Sequence, residues 1–380
     1  SYFIKTIAGS TTIDTDLGRD TFTIGSNSHD LLGIQGALTL LGGEGNHDTI
    51  VVDSAGSASD QNGELTDGSL AGFGMSDPLM FHDIEEFVAT FGDHADELTV
   101  LSAISGKTTI NTSGGMDVVK FETYNGLTTL NTGDHSDKII VFDGEGDFAG
   151  AGSVLTIDGG SDGDLYQVIA AQSVLGTSFI NLNDSGESLE GASGIDTLEY
   201  RGSHVDDLIQ LDTVYVRAED ADKEFASDDW VDFGKHNDGL LISHFNPDAA
   251  GDYDKLDPEN TDAMLQVNEV DLQVGEHMQI VNYSTIETVT VYGGNGDDKF
   301  VADDTAQEVN IYGNAGDDQF YVGSVLETEL VLVEGKEVAV VVEITNGASF
   351  ELKIYGGEGD DYFEVNHNVA DIELYGDNGS

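Results

Sequence analysis

Three short segments place an aspartate at the close of a glycine turn and an aromatic residue two positions later. Gly293–Phe300 (GGNGDDKF) and Gly356–Phe363 (GGEGDDYF) share the pattern glycine, glycine, any, glycine, any, aspartate, any, apolar. Gly313–Phe320 (GNAGDDQF) departs from it only at Asn314. These residue types suit a hard cation. Glycine reaches φ > 0 and can turn its carbonyl oxygen toward a shared point, and aspartate adds a carboxylate. Calcium takes about six to eight oxygen ligands at about 2.3–2.6 Å, more than one short turn supplies. Two turns stacked on each other would supply them, so that metal binding and stacking become one event.

Weaker forms of the turn run along the chain: TDLGRDTF (15–22), FGDHADEL (91–98), TSGGMDVV (112–119), TGDHSDKI (132–139), GGSDGDLY (159–166), GASGIDTL (191–198) and RGSHVDDL (201–208). GGEGNHDTI (42–50) fits with one inserted residue. The aspartate is the most constant member, at positions 20, 96, 117, 137, 206, 298, 318 and 361. Asp117 and Asp137 are 20 residues apart, as are Asp298 and Asp318. Alternating stretches flank the turns, such as VNIY (309–312) and QFYV (319–322). In a strand, Val309 and Ile311 then share one side, as do Phe320 and Val322. Strand, glycine turn, strand and a second polar turn make one coil. The pattern predicts an all-β chain, a right-handed parallel β-solenoid of about 20-residue coils with β-rich insertions, each coil stacked roughly 4.8 Å from the next.

The stacking units are expected to fall into three stretches. Residues 1–190 form a solenoid segment with an internal echo at an offset of 117 (TTIDTDLGRDTFTI at 11–24, TTLNTGDHSDKIIV at 128–141). Residues 191–280 hold degenerate turns and an acidic insertion; residues 281–380 hold the strict turns and a β-hairpin insertion at 326–350. The segments 217–275 and 326–350 break the rhythm. Insertions in a solenoid gather on one face, often the binding face.

The strict turns resemble the G-G-x-G-x-D-x-U-x nonapeptide of repeats-in-toxin (RTX) proteins, a calcium-binding parallel β-helix repeat. The chain as a whole is similar to the glycine- and aspartate-rich arrays of large bacterial surface proteins and adhesins. The resemblance implies several Ca²⁺ ions. It implies side-chain ligands at Asp298, Asp318 and Asp361, with Asp297, Asp317 and Asp360 as additional carboxylates. It implies backbone ligands at the carbonyls of Gly293, Asn295, Gly313, Ala315, Gly356 and Glu358, and extends the set to Asp20, Asp117 and Asp137 in the weaker turns. In that family the turns occupy both edges of a shorter coil. Here glycines are expected on one edge only, and the ions with them. The alternative is a bare turn, since glycine and aspartate favour tight turns without any metal.

Composition narrows the function. With 13 basic and 73 acidic residues the net charge is −60, which repels nucleic acid and anionic membranes and invites cations. A hydrophobic fraction of 39% is enough to build a core despite that charge. Cysteine is absent, which leaves oxygen ligands and favours Ca²⁺ over Zn²⁺. No apolar run is long enough to span a bilayer. No nucleophile-elbow, zincin or phosphate-loop signature occurs, and the basic residues are scattered, so an enzyme is not expected. Starting at Ser1 and ending in YGDNGS, the chain reads as a segment of a longer polypeptide.

The expected function is a secreted, extracellular or cell-surface calcium-binding structural module of a larger bacterial surface, matrix or filament protein. Its coils would be clasped by Ca²⁺ into a rigid rod that associates end to end with other copies or neighbouring modules. The alternative is an adhesin-type module that binds a glycan, a protein or an ice surface. It would use the insertions or a threonine ladder at 11–12, 108–109 and 128–129 with Thr15, Thr112 and Thr132. A polysaccharide lyase or epimerase, or its accessory module, is a third reading.

Overall fold

The computed structural model describes residues 1–43, 47–141, 153–170, 178–185, 194–202, 207–217, 231–236, 239–243, 264–274, 277–283, 285–303, 305, 307–323, 325–333, 336–344 and 347–378. Among the described residues the regular elements are all strands, and there is no helix. The chain divides into two compact units, residues 1–168 with 182–196, and residues 169–181 with 197–380.

In the first unit, strands alternate between two sheets. The first sheet holds, side by side, Tyr2–Ile4, Thr21–Ile24, Thr49–Asp53, Glu86–Thr90, Lys107–Asn111, Leu127–Asp134 and Val154–Ser161. The second holds Thr11–Asp14, Leu38–Leu41, Leu79–His82, Ser69–Gly72, Asn62–Leu65, Glu97–Val100, Val118–Phe121, Lys138–Val141 and Leu165–Ile169. The pairing is parallel except at Ser69–Gly72, which runs antiparallel to both its neighbours. The register is constant enough to build columns. Ile24, Val52, Ala89, Ile110, Leu130 and Ile157 line up across the first sheet and all are buried. Each strand turns every second side chain inward, as the period of two demands. The next inward column is Phe22, Ile50, Phe87, Thr108, Thr128 and Leu155. Thr108 and Thr128 are therefore buried and form no surface ladder.

The second unit repeats the arrangement. Thr197–Arg201, Thr288–Asn295, Glu308–Ala315, Leu352–Glu358 and Ile372–Tyr375 are parallel neighbours in one sheet. Leu208–Arg217, Lys299–Ala302, Gln319–Val322 and Tyr362–Val365 are parallel neighbours in the other. Met264–Val274 pairs antiparallel with Leu208–Arg217, and His277–Tyr283 pairs antiparallel with it in turn. Part of the stretch read as an acidic insertion thus extends a sheet. Val231–His236 with Gly239–Ser243, and Val325–Val333 with Lys336–Ile344, form separate antiparallel hairpins. Strands that hop between two parallel sheets are compatible with a β-solenoid.

Register also stacks the aromatic residues. Phe300, Phe320 and Phe363 form a column with ring centroids 4.9 and 5.0 Å apart and planes within 14°. Tyr292, Tyr312, Tyr355 and Tyr375 form a second at 5.2, 4.6 and 4.7 Å. These distances match the roughly 4.8 Å between neighbouring strands, so backbone pairing alone brings the rings into contact. Such pairs add about 0.5–1.5 kcal/mol beyond the area they bury. Phe320, buried between two rings, is the strictest test. Phe320→Ala is expected to lower the stability of the second unit by about 3–5 kcal/mol, whereas Gln319→Ala, on the exposed side of the same strand, should change it by less than about 0.5 kcal/mol. Urea unfolding followed by circular dichroism reads the difference.

Candidate metal centre

The chain leaves one sheet and enters the other through the aspartate turns, and two backbone requirements explain their glycines. The second turn residue has a left-handed φ: 112° at Gly294 and 109° at Gly357. Asn314 takes the same place at 76°, which asparagine tolerates better than most residues. The first glycine has no such angle and is needed for space. A Cβ on Gly313 would lie 2.2 Å from Asp318 Oδ2 and 2.4 Å from the carbonyl oxygen of Gly356. On Gly293 it would lie 2.4 Å from Asp298 Oδ2 and 2.8 Å from the Gly313 carbonyl. On Gly202 it would lie 2.7 Å from Asp207 Oδ2 and 2.3 Å from the Gly293 carbonyl. In each of these turns a carboxylate oxygen and a carbonyl oxygen of the next level, or rung, converge on one point.

The other carboxylate oxygen is used. In the second unit the backbone N–H of Asp207 donates to Asp298 Oδ1 at 2.8 Å, that of Asp298 to Asp318 Oδ1 at 2.8 Å and that of Asp318 to Asp361 Oδ1 at 3.1 Å. A second, exposed ladder runs the opposite way. Asp317 N–H donates to Asp297 Oδ1 at 2.9 Å, and Asp360 N–H to Asp317 Oδ1 at 2.8 Å. The paired aspartates therefore tie each rung to both of its neighbours. In the first unit Asp96, Asp117, Asp137 and Asp164 donate in turn to Asp117, Asp137, Asp164 and Asp196, at 2.7–2.8 Å. Asp20 donates to Asp48 at 2.7 Å, and Asp48 to Glu85 Oε2 at 2.7 Å.

The expectation of a single glycine edge is corrected here. In the first unit Asp20 and Asp48 sit where the chain passes from the second sheet to the first. Asp96, Asp117, Asp137 and Asp164 sit where it passes from the first to the second, on the opposite edge. The echo at an offset of 117 spans the two: Thr11–Asp14 lies in the second sheet, while its counterpart within Leu127–Asp134 lies in the first. Either turn of a coil imposes the same backbone geometry, so a shared motif does not reveal a shared edge. In the turn at 201–208 the ladder position belongs to Asp207, one residue later than the repeat alignment placed it; Asp206 lies outside the described residues.

The structure sorts the candidate ligands into two groups. Asp298 and Asp318 are buried and converge with the first-position carbonyls of Gly313 and Gly356, and Asp361 is half-buried. Asp117 and Asp137 are buried at the equivalent turn position, and Asp20 is half-buried. The outer group is solvent-facing: Asp297, Asp317 and Asp360 are exposed. Asn295, Ala315 and Glu358 line an open groove with Tyr312 and Tyr355. The Ala315 and Glu358 carbonyls accept N–H groups from Gly296 at 3.0 Å and Gly316 at 2.9 Å. Sequence reasoning missed a cluster. Asp164, Asp184 and Asp196, all buried, bring three carboxylate oxygens within 4.8 Å of one another. Asp164 and Asp196 stood in weak turns, but no spacing marked Asp184. Burial and these carboxylates push the neighbouring Tyr166 hydroxyl well above its usual range.

Electrostatics decides what the inner ladder requires. A hydrogen bond to a charged group contributes about 1.5–3 kcal/mol. Two like charges one rung apart repel by about 3 kcal/mol at an effective dielectric constant of about 20. The ladder therefore cannot hold every carboxylate charged without a counter-charge. Burial pushes Asp96, Asp117 and Asp318 up to about 6, Asp137 to about 7 and Asp164 to about 8, from 3.8. The neighbouring aspartates add to that shift at Asp96, Asp137, Asp164 and Asp318. Oδ2 of all five is buried with no donor, as it is at Asp48 and Asp361. A buried acceptor without a donor, converging with a carbonyl as Asp318 Oδ2 does with that of Gly356, fits a hard cation.

Two outcomes follow from the charge balance. A carboxyl with a raised folded pKa binds more protons folded than unfolded, so its contribution is complete below about 3.8 and fades as pH climbs through about 6 to 8. In chelator, the melting midpoint is expected to fall between pH 4.5 and pH 8; a midpoint that rises over that window contradicts the ladder's protonation. At Asp318, substitution by Asn keeps an acceptor for the Asp298 N–H and removes the charge. Asp318→Asn should be more stable than Asp318→Ala by about 1–3 kcal/mol in chelator at pH 8, read by the same melts. No protein-family model and no curated protein matches this chain.

Proposed function

We propose that the chain is a calcium-stabilised structural module, a right-handed parallel β-solenoid with coils of about 20 residues in its regular stretches. It resembles RTX-like repeats, and calcium ions clasp its rungs. The observation that carries this reading is the inner ladder. One oxygen of Asp298 and of Asp318 holds the preceding rung's N–H, and the other converges with a carbonyl of the following rung. Asp298, Asp318, Asp361 and the carbonyls of Gly313 and Gly356 would hold the ions; the exposed Asp297, Asp317 and Asp360 add negative potential beside them. A bound cation supplies the counter-charge the ladder needs at neutral pH.

Linkage makes this a switch. At low calcium the acidic chain is loose; at the millimolar calcium outside cells each ion stabilises the stack by about 2.7 kcal/mol when calcium exceeds its Kd a hundredfold. That dependence suits a protein working at a cell surface or in a secreted matrix or filament. A rigid spacer requires no catalysis, and the module is read as non-enzymatic. Tyr362–Val365 and Ile372–Tyr375 each pair on one side only among the described residues. Rungs that pair on both sides suit a stack continued by a neighbouring module or copy, end to end. The hairpin Val325–Val333 with Lys336–Ile344, outside the two main sheets, favours an adhesin-type binding surface as a second reading.

Thermal melts at pH 7.5 with exhaustive chelation, followed by stepwise return of Ca²⁺, test the proposal. The midpoint is expected to rise with each addition and to saturate in the millimolar range or below. A midpoint indifferent to chelation and to added Ca²⁺ would sink it.

A further inference from the structure

The first turn position, five residues before the ladder aspartate, carries either glycine or threonine in the turns that matter here. Gly202, Gly293 and Gly313 hold it in three turns of the second unit, and Thr15, Thr112 and Thr132 hold it in three turns of the first. None of these glycines has a left-handed φ, so the backbone angle does not require glycine. The space does. At each, its own aspartate's Oδ2 and the next turn's first-position carbonyl both lie within 2.8 Å of where a Cβ would be, too close for a side chain in this backbone position.

The threonine turns show what can stand there instead. Thr15 donates its hydroxyl to the Gly42 carbonyl at 3.0 Å, Thr112 to the Thr132 carbonyl at 3.2 Å and Thr132 to the Gly159 carbonyl at 2.7 Å. The acceptor is always the first-position carbonyl of the next turn, the same oxygen that faces the carboxylate in the glycine turns. Each hydroxyl has one hydrogen and gives it to the carbonyl, so Oδ2 of Asp117 and Asp137 is buried without a donor, as Asp318 Oδ2 is. The difference lies at the carbonyl: a threonine turn brings it a side-chain donor, and the glycine at Gly313 brings the Gly356 carbonyl none.

We propose that the first-position residue decides which turns take a calcium ion: at Gly202, Gly293 and Gly313 no side chain engages the next turn's carbonyl, and at Thr15, Thr112 and Thr132 a hydroxyl does. The assignment rests on the calcium reading above. It makes Asp20, Asp117 and Asp137 members of rungs that stack without an ion. The chain then contains rungs that take an ion and rungs that do not.

Calcium bound per chain, counted by equilibrium dialysis and titration calorimetry on the full 380-residue protein, tests this. Thr132→Gly is expected to bind one ion more than the unaltered chain. Gly313→Thr is expected to bind one fewer and to show a smaller calcium-dependent rise in melting midpoint. Thr132→Val keeps the shape without the hydroxyl; it should leave the count unchanged and lower the midpoint in chelator. Thr132→Gly only removes atoms, so its count decides the matter even if Gly313→Thr fails to fold. An unaltered count in Thr132→Gly, on a parent chain that does bind calcium, overturns the assignment alone. A parent chain that binds no calcium overturns the calcium reading and the assignment with it.

Discussion

A backbone N–H donated to a buried aspartate of the next rung is the contact on which this molecule turns. It recurs from Asp96 to Asp196 in the first unit and from Asp207 to Asp361 in the second. It satisfies a donor that a tight turn would otherwise strand, and it fixes the register of everything beyond the turn. The stacked phenylalanines and the columns of Ile and Val follow from that register. The cost is a row of buried carboxylates spaced by one strand distance, each repelling the next. Any account of stability must therefore say what neutralises the row. Protons do so below about pH 6 at Asp96 and Asp318 and up to about 7 and 8 at Asp137 and Asp164; above that a cation is the proposed means.

Much of the fold was legible in the sequence because period-two alternation and glycine turns are local signals. VNIY and QFYV are strands with the inward faces their patterns predict, and Asp298 and Asp318 occupy equivalent places one rung apart. Other features were not legible, for physical reasons. Nothing local distinguishes one edge of a coil from the other, so the switch of edge between Asp48 and Asp96 could not be read from spacing. Asp184 enters the cluster with Asp164 and Asp196 through stacking alone. The two aspartates of GDD look alike in sequence, yet one carboxylate is buried and the other exposed, because successive residues of an extended chain point to opposite sides.

Threonine shows the same limit. At Thr108 and Thr128 it fills an inward column, and at Thr112 and Thr132 its hydroxyl closes a turn. Of the threonines read as a surface ladder, Thr108, Thr112, Thr128 and Thr132 are interior, Thr11, Thr15, Thr109 and Thr129 are half-buried, and Thr12 is exposed. The glycine and threonine turns are best understood as two solutions to one problem, a carboxylate and a carbonyl brought face to face by stacking. One brings a hydroxyl from the chain itself, and in the proposed reading the other is met by calcium from the medium.

The most direct test of the central claim is an anomalous difference map from crystals grown with terbium in place of calcium. The account predicts a peak between the Asp318 carboxylate and the Gly356 carbonyl, and none between Asp137 and the Gly159 carbonyl beside Thr132. Peaks confined to the exposed Asp297, Asp317 and Asp360, with nothing at the buried ladder, would contradict it.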